Sequence, residues 1–114
     1  MQIKSGIDLV FLPKFRKTLS RGGSSFLKRV YLESELEDKR EEHLAGIFAA
    51  KEAVMKALGL PKGSWQDIEI TYRQNGAPIV RIMNYEVRIK DSLSISHDGD
   101  YVVAYFVALI SNEL

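Results

Sequence analysis

The chain has 114 residues, 46% of them hydrophobic, a length that suits one domain over residues 1–114 and leaves no room for a second core. A formal charge of +1 and the absence of cysteine exclude the strong basic field of a general nucleic-acid binder, disulfides, thiolate metal sites and cysteine nucleophiles. The N-terminus carries no charged-then-apolar leader and no apolar run approaches the roughly 20 residues of a bilayer span, so the cytoplasm is the expected home, without membrane or nucleic-acid partners.

Residues 5–10, Ser-Gly-Ile-Asp-Leu-Val, read as a strand, with Ile3, Ile7 and Leu9 toward one face and Asp8 on the other, beside Gly6. Asp is depleted in strands, so Asp8 is either an edge charge that discourages aggregation or a site residue. Pro13 opens a short helix through Leu19, and Gly22-Gly23-Ser24-Ser25 breaks it before an apolar-basic segment over 26–32. Residues 14–29 carry Lys14, Arg16, Lys17, Arg21, Lys28 and Arg29 without an acid, which makes them a solvated face or a landing place for an acidic partner. Ser34 and Glu37 form a capping box for a charged helix running to about Glu42.

Residues 44–59, LAGIFAAKEAVMKALG, form a helix whose stripe of Leu44, Ile47, Phe48, Val54, Met55 and Leu58 faces a core. Lys51 falls in the middle of that stripe and must snorkel or meet a carboxylate, phosphate or neighbouring subunit. Glu52 and Lys56 lie one turn apart on its flank among Ala45, Ala49 and Ala53, small side chains that admit a second backbone or a ligand. The pair is a surface ion pair or the wall of a site. Gly59 and Pro61 stop the helix. The remainder is strands over 67–72, 78–83, 85–90, 93–97 and 101–110, with Asn75-Gly76 and Asp98-Gly99 as hairpin turns and antiparallel pairing. The last strand, YVVAYFVALI, is apolar on both faces. The helices of so short a chain cover one face of the sheet, so the other is expected to meet another subunit.

A Gly6-Ile7-Asp8 strand, the helix motif and Ser94-Ile95-Ser96-His97 come in order with Phe26-x-x-Arg29, Glu35-Leu36, Trp65-x-Asp67-Ile68-Glu69-Ile70 and Asn75-Gly76-x-Pro78. In these motifs the chain resembles, almost end to end, the holo-acyl-carrier-protein synthases, the short class of 4′-phosphopantetheinyl transferase. The resemblance implies an α+β fold, an antiparallel sheet packed on one long helix and shorter helices. It implies a magnesium-dependent enzyme that moves 4′-phosphopantetheine from coenzyme A to a serine of an apo acyl carrier protein and releases 3′,5′-ADP. It also implies a homotrimer, in which the Asp8-Glu52 side of one subunit meets the Asn75-Pro78 to His97 side of its neighbour.

Carried over residue by residue, Asp8 and Glu52 match the metal ligands, a pair sufficient for Mg²⁺, which takes one or two carboxylates plus substrate oxygens and water. Lys56 would add an ammonium beside the phosphates. His97, by itself a core histidine as readily as a ligand, matches a nucleotide-phosphate contact with Ser96 beside it. Asn75, Gly76 and Pro78 match the adenine-side rim, and Lys14, Arg16, Arg21 and Lys28 the carrier-docking segment. The proton acceptor for the serine is a water or a site carboxylate.

Three positions depart from the family: Ile47 and Ala77 stand where cations are common, and Lys14 where an arginine is, which keeps the charge without the fork. These departures predict weaker coenzyme A binding. Leu32 stands where a hydroxyl is usual and the link to Leu44 is short, so the charged helix and the long one are expected to run nearly together. The competing reading, a carrier-binding or oligomeric structural module without catalysis, needs only the basic segment and the apolar sheet face.

Overall fold

The computed structural model describes residues 1–83, 85 and 88–111. Strand β1 (Gln2–Phe11) leads directly into helix α1 (Leu12–Val30), with proline in its first turn as expected. A 3-10 turn (Glu33–Leu36), helix α2 (Glu41–Leu58) and a second 3-10 turn (Ser64–Asp67) follow. Strands β2 (Ile68–Tyr72), β3 (Pro78–Ile82), β4 (Arg88–Asp98) and β5 (Tyr101–Ile110) complete the chain. The expected α+β architecture is present: β1, β5 and β4 form an antiparallel sheet in that order, and β2 and β3 a separate hairpin.

Helix α2 lies across the main sheet, and a missing side chain lets it come close. A Cβ on Gly6 would run into the Ala53 carbonyl oxygen and the Ala57 amide nitrogen of α2. The alanines beside Glu52 therefore serve backbone packing; Ala45, Ala49 and Ala53 are fully buried. The inward face of β5, with Val102, Ala104 and Phe106 fully buried, supplies the rest of this layer. A Val or Phe of this kind contributes roughly 1.5–3 kcal/mol when buried.

The outward face is the apolar one that sequence periodicity picks out in β1. Ile3, Ile7 and Leu9 are 74%, 57% and 62% exposed, and Tyr101 and Tyr105 extend the patch along β5. Gly6, Asp8 and Val10 alternate to the helix side. Hydrophobicity thus marks a strand here without marking which face the helix covers.

Two local expectations are corrected and one is met. No charged helix runs from Ser34 to Glu42: Glu35 turns inward and accepts a hydrogen bond from the Leu32 amide at 2.8 Å, closing a 3-10 turn around Leu32, and residues 37–40 separate it from α2. The expected break between the helix from Pro13 and the segment that follows is present within α1: Gly23, with φ 53° and ψ −141°, is a non-helical kink between two helical stretches. The strands expected over 85–90 and 93–97 are one strand, β4, which passes an irregularity between Arg88 and Lys90 while holding its pairing with β5. Of the first of these, residues 86 and 87 lie outside the described residues.

Candidate active site

Asp8 sits in mid-strand opposite Ala104 of β5, on the face of β1 that meets α2. Register and helix phase bring Lys56 over it: Nζ donates to Asp8 Oδ1 at 2.9 Å and to the Ile7 carbonyl at 3.0 Å. Glu52, one turn earlier, is partly buried. Its carboxyl is raised above the ordinary range, first by that burial and then by the negative charge of Asp8, with Lys56 and Lys62 pulling it back. Two carboxylates and a lysine from elements 48 residues apart in the chain therefore act on one another electrostatically.

Asp8 and Glu52 line a cleft of about 270 Å³ floored by Phe15 and Phe48, with Lys14 and Thr18 of α1 along its side. Lys14, expected at the carrier-docking surface, thus borders the carboxylates themselves. Arg21 and Lys28 are exposed on α1. Arg16 is engaged already, its Nε 2.8 Å from Glu41 Oε1 at the start of α2.

The remaining expected contacts lie elsewhere on the same chain. His97, Gly76 and Pro78 line a second, larger cleft of about 640 Å³, together with Arg40, His43, Gly46 and Tyr72. Asn75 shapes its rim through an Asx turn, its Oδ1 accepting the Ala77 amide hydrogen at 3.0 Å, and Gly76 takes a φ of 88°. Ser96 does not line this cleft. It alternates with His97 along β4 and faces the outer side of the sheet. Within one chain, then, the carboxylate cleft and the histidine cleft are distinct.

Lys51, the charge in the apolar stripe, is fully buried and meets a carboxylate. Its Nζ donates to Glu35 Oε1 at 2.6 Å, the Val30 carbonyl at 2.7 Å and the Trp65 carbonyl at 3.0 Å. Glu35 also accepts the Ile70 amide hydrogen at 2.8 Å. This pair joins α1, α2 and the β2–β3 hairpin, and neither residue lines either cleft. His43 and Arg40 belong to the large cleft without having been singled out from sequence; the only signal was their place just before the helix motif.

Among the described residues no group of three or more His, Cys, Asp or Glu could hold a metal ion, and no helix is long and apolar enough to cross a membrane.

Residues 4–106 match the family model described as the 4′-phosphopantetheinyl transferase superfamily. A holo-[acyl-carrier-protein] synthase of Ehrlichia chaffeensis is 36% identical over 113 residues, spanning 90% of this chain and 92% of the relative. The holo-[acyl-carrier-protein] synthase of Helicobacter pylori, solved in complex with coenzyme A, superposes with a TM-score of 0.84 at 32% identity, covering 92% of this chain and 99% of that one. The Bacillus anthracis enzyme, solved with coenzyme A (3′,5′-ADP), gives 0.79 at 36% identity, covering 95% and 96%. With its sheet, its long helix and its ordered motifs accounted for, the chain belongs to the 4′-phosphopantetheinyl transferase superfamily, in the holo-[acyl-carrier-protein] synthase family.

Proposed function

We propose that residues 1–114 form one transferase domain that moves 4′-phosphopantetheine from coenzyme A to a serine of an apo acyl carrier protein. The observation that carries this reading is the convergence of Asp8 and Glu52 at one cleft, with Lys56 bonded to Asp8 and acting on Glu52 beside it. The serine oxygen attacks the β-phosphorus, the bond from that phosphorus to the bridging oxygen breaks, and 3′,5′-ADP leaves with the negative charge. The serine proton goes to water or to a carboxylate of the site.

Asp8 and Glu52 suit Mg²⁺. They are hard oxygen donors, and ionisation of Glu52, opposed by burial and by Asp8, is favoured by a divalent cation. Bound there, Mg²⁺ would neutralise pyrophosphate charge that builds as the leaving group departs. Lys56, already within reach of the Asp8 carboxylate, exchanges that partner for a phosphate oxygen and holds the pyrophosphate in line.

The separation of the two clefts in one chain supports a site shared between subunits. In that arrangement the exposed Ile3, Ile7, Leu9 and Tyr105 face joins three copies into a homotrimer. The Asn75-Pro78 to His97 side of one subunit then holds the nucleotide against the carboxylate cleft of the next. Lys14, Arg21 and Lys28 meet the acidic carrier, and Arg16 does so once released from Glu41. We place this chemistry in the cytoplasm, as the absence of cysteine suits.

The test is direct. Incubated with coenzyme A, Mg²⁺ and an apo acyl carrier protein, the purified protein adds one phosphopantetheine to the carrier, read by intact-mass spectrometry, and adds none with chelator present. No mass gain on several bacterial carriers would overturn the assignment.

A further inference from the structure

Lys51 and Glu35 line neither cleft, yet the fold encloses both side chains completely. A buried ion pair is a weak source of stability, because apolar side chains of similar volume fill such a space as well or better. What the pair supplies is direction. Its hydrogen bonds form at one geometry, whereas apolar contacts are non-directional and tolerate sliding.

These bonds run to a layer outside the main sheet. Strands β2 and β3 form a sheet of their own, buried through Ile68, Ile70, Val80 and Ile82. Glu35 Oε2 accepts the Ile70 amide hydrogen in the middle of β2 at 2.8 Å, while Lys51 Nζ donates to Glu35 Oε1 at 2.6 Å and to the Trp65 carbonyl, just before the strand, at 3.0 Å. Lys51 is a firm anchor, since α2 is seated on β1 by the close approach at Gly6. The pair therefore sets β2 against α2. Beyond that base the hairpin is stiff: the Arg73 amide donates to the Ala77 carbonyl at 2.8 Å and the Gly76 amide to the Arg73 carbonyl at 2.9 Å. Gly76 and Pro78, which line the large cleft, go where the base of the hairpin goes.

We propose that Glu35 and Lys51 are positioning residues for the transferase reaction, holding the β2–β3 hairpin, and with it the 75–78 turn, at the distance from α2 that the donor requires. This role rests on the transferase reading given above. Asp8 and Glu52 are carried by β1 and α2, whose mutual packing does not pass through the pair. Loss of the pair thus acts on donor binding and spares both the chemical step and the docking of the carrier on α1.

The test uses wild type, Glu35→Asp and the double variant Glu35→Gln/Lys51→Met, at a temperature where circular dichroism shows each of them folded. Glu35→Asp keeps the charge but draws the carboxylate back by one methylene, so it cannot bond Lys51 and the Ile70 amide at once; the double variant removes the pair. In both, the KM for coenzyme A rises about tenfold, while kcat and the KM for an apo acyl carrier protein stay within about twofold of wild type. Amide hydrogen exchange of the proteins without substrate speeds up over residues 68–82 and is unchanged in β1 and β5. An unchanged KM for coenzyme A in folded Glu35→Asp, or equal losses in all three kinetic constants, would overturn the positioning role. Exchange that rises across the whole chain, or nowhere, would do the same. Wild-type protein that modifies no carrier would instead overturn the transferase reading on which this role rests.

Discussion

Replacing Lys51 with methionine removes the centre of a buried polar knot. The ammonium is fully buried and makes three hydrogen bonds, one of them to a Glu35 carboxylate that is itself fully enclosed. Burial pushes Lys51 below the ordinary lysine range while Glu35 works against that shift, so the charged pair is a balance between desolvation and mutual attraction. In Lys51→Met, Glu35 keeps hydrogen bonds from the Leu32 and Ile70 amides but loses its cation. Removing one partner of a buried pair costs about 3–5 kcal/mol, a large share of the roughly 5–15 kcal/mol that holds a domain together. Chemical denaturation of wild type, Lys51→Met, Glu35→Gln and the double variant measures this. The double variant should lose at least about 1.5 kcal/mol less than the sum of the two single losses, because the glutamine amide in place of Glu35 keeps an acceptor oxygen and leaves no buried net charge. A Lys51→Met protein within about 1 kcal/mol of wild type, or strict additivity, would refute the coupling of the pair.

Ionisation of Glu52 offers a pH-dependent check. Its folded-state carboxyl is raised, so the stability tied to its protonated form is complete below the unfolded value and is lost as pH rises through the folded one. Metal-free Glu52→Gln should therefore melt above wild type at neutral pH, with the gap closing as pH falls below the carboxylate range; a gap that widens in acid contradicts the sign. Gly6→Ala, whose new methyl meets α2 backbone on two sides, should cost at least about 1–3 kcal/mol and most of the transfer activity; an unchanged denaturation midpoint would show that β1 and α2 can separate. Leu9→Lys on the exposed apolar face should leave circular dichroism intact and dissociate the proposed trimer in sedimentation equilibrium; an assembly unaltered by the substitution would place the interface elsewhere. Lys14→Glu should raise the carrier's KM more at low salt than at physiological salt, since exposed charges are screened beyond about 8 Å at about 0.15 M; equal effects would move docking away from α1.

Much of the site was legible because chemistry out of place is visible in sequence. Asp8 in a strand, Glu52 and Lys56 beside an apolar stripe and Lys51 within it are each misfits, and the fold brings Asp8 and Glu52 to one cleft, bonds Lys56 to Asp8 and gives Lys51 a carboxylate. The identity of that carboxylate was not legible, since Glu35 reaches Lys51 across a 16-residue separation set by an irregular turn. The Ser34–Glu37 spacing mimicked a capping box, yet burial of Glu35 decided the local structure. His43 was missed because the helix was read from Leu44, where the apolar periodicity begins, whereas α2 starts at Glu41 on charged and polar side chains. Periodicity also could not tell the helix-covered face of β1 from the exposed one. Glycine, valine and an aspartate line the covered side, and the large aliphatics Ile3, Ile7 and Leu9 lie outside.

Subunit mixing tests most directly whether the carboxylate cleft of one chain works with the histidine cleft of another. Asp8→Ala and His97→Ala are each expected to abolish or strongly reduce transfer as homogeneous assemblies. When the two are mixed and allowed to exchange, random assembly gives about one site in four both wild-type halves, so phosphopantetheine transfer to the carrier should recover to about a quarter of the wild-type rate. Exchange with no recovery would contradict a site shared between subunits.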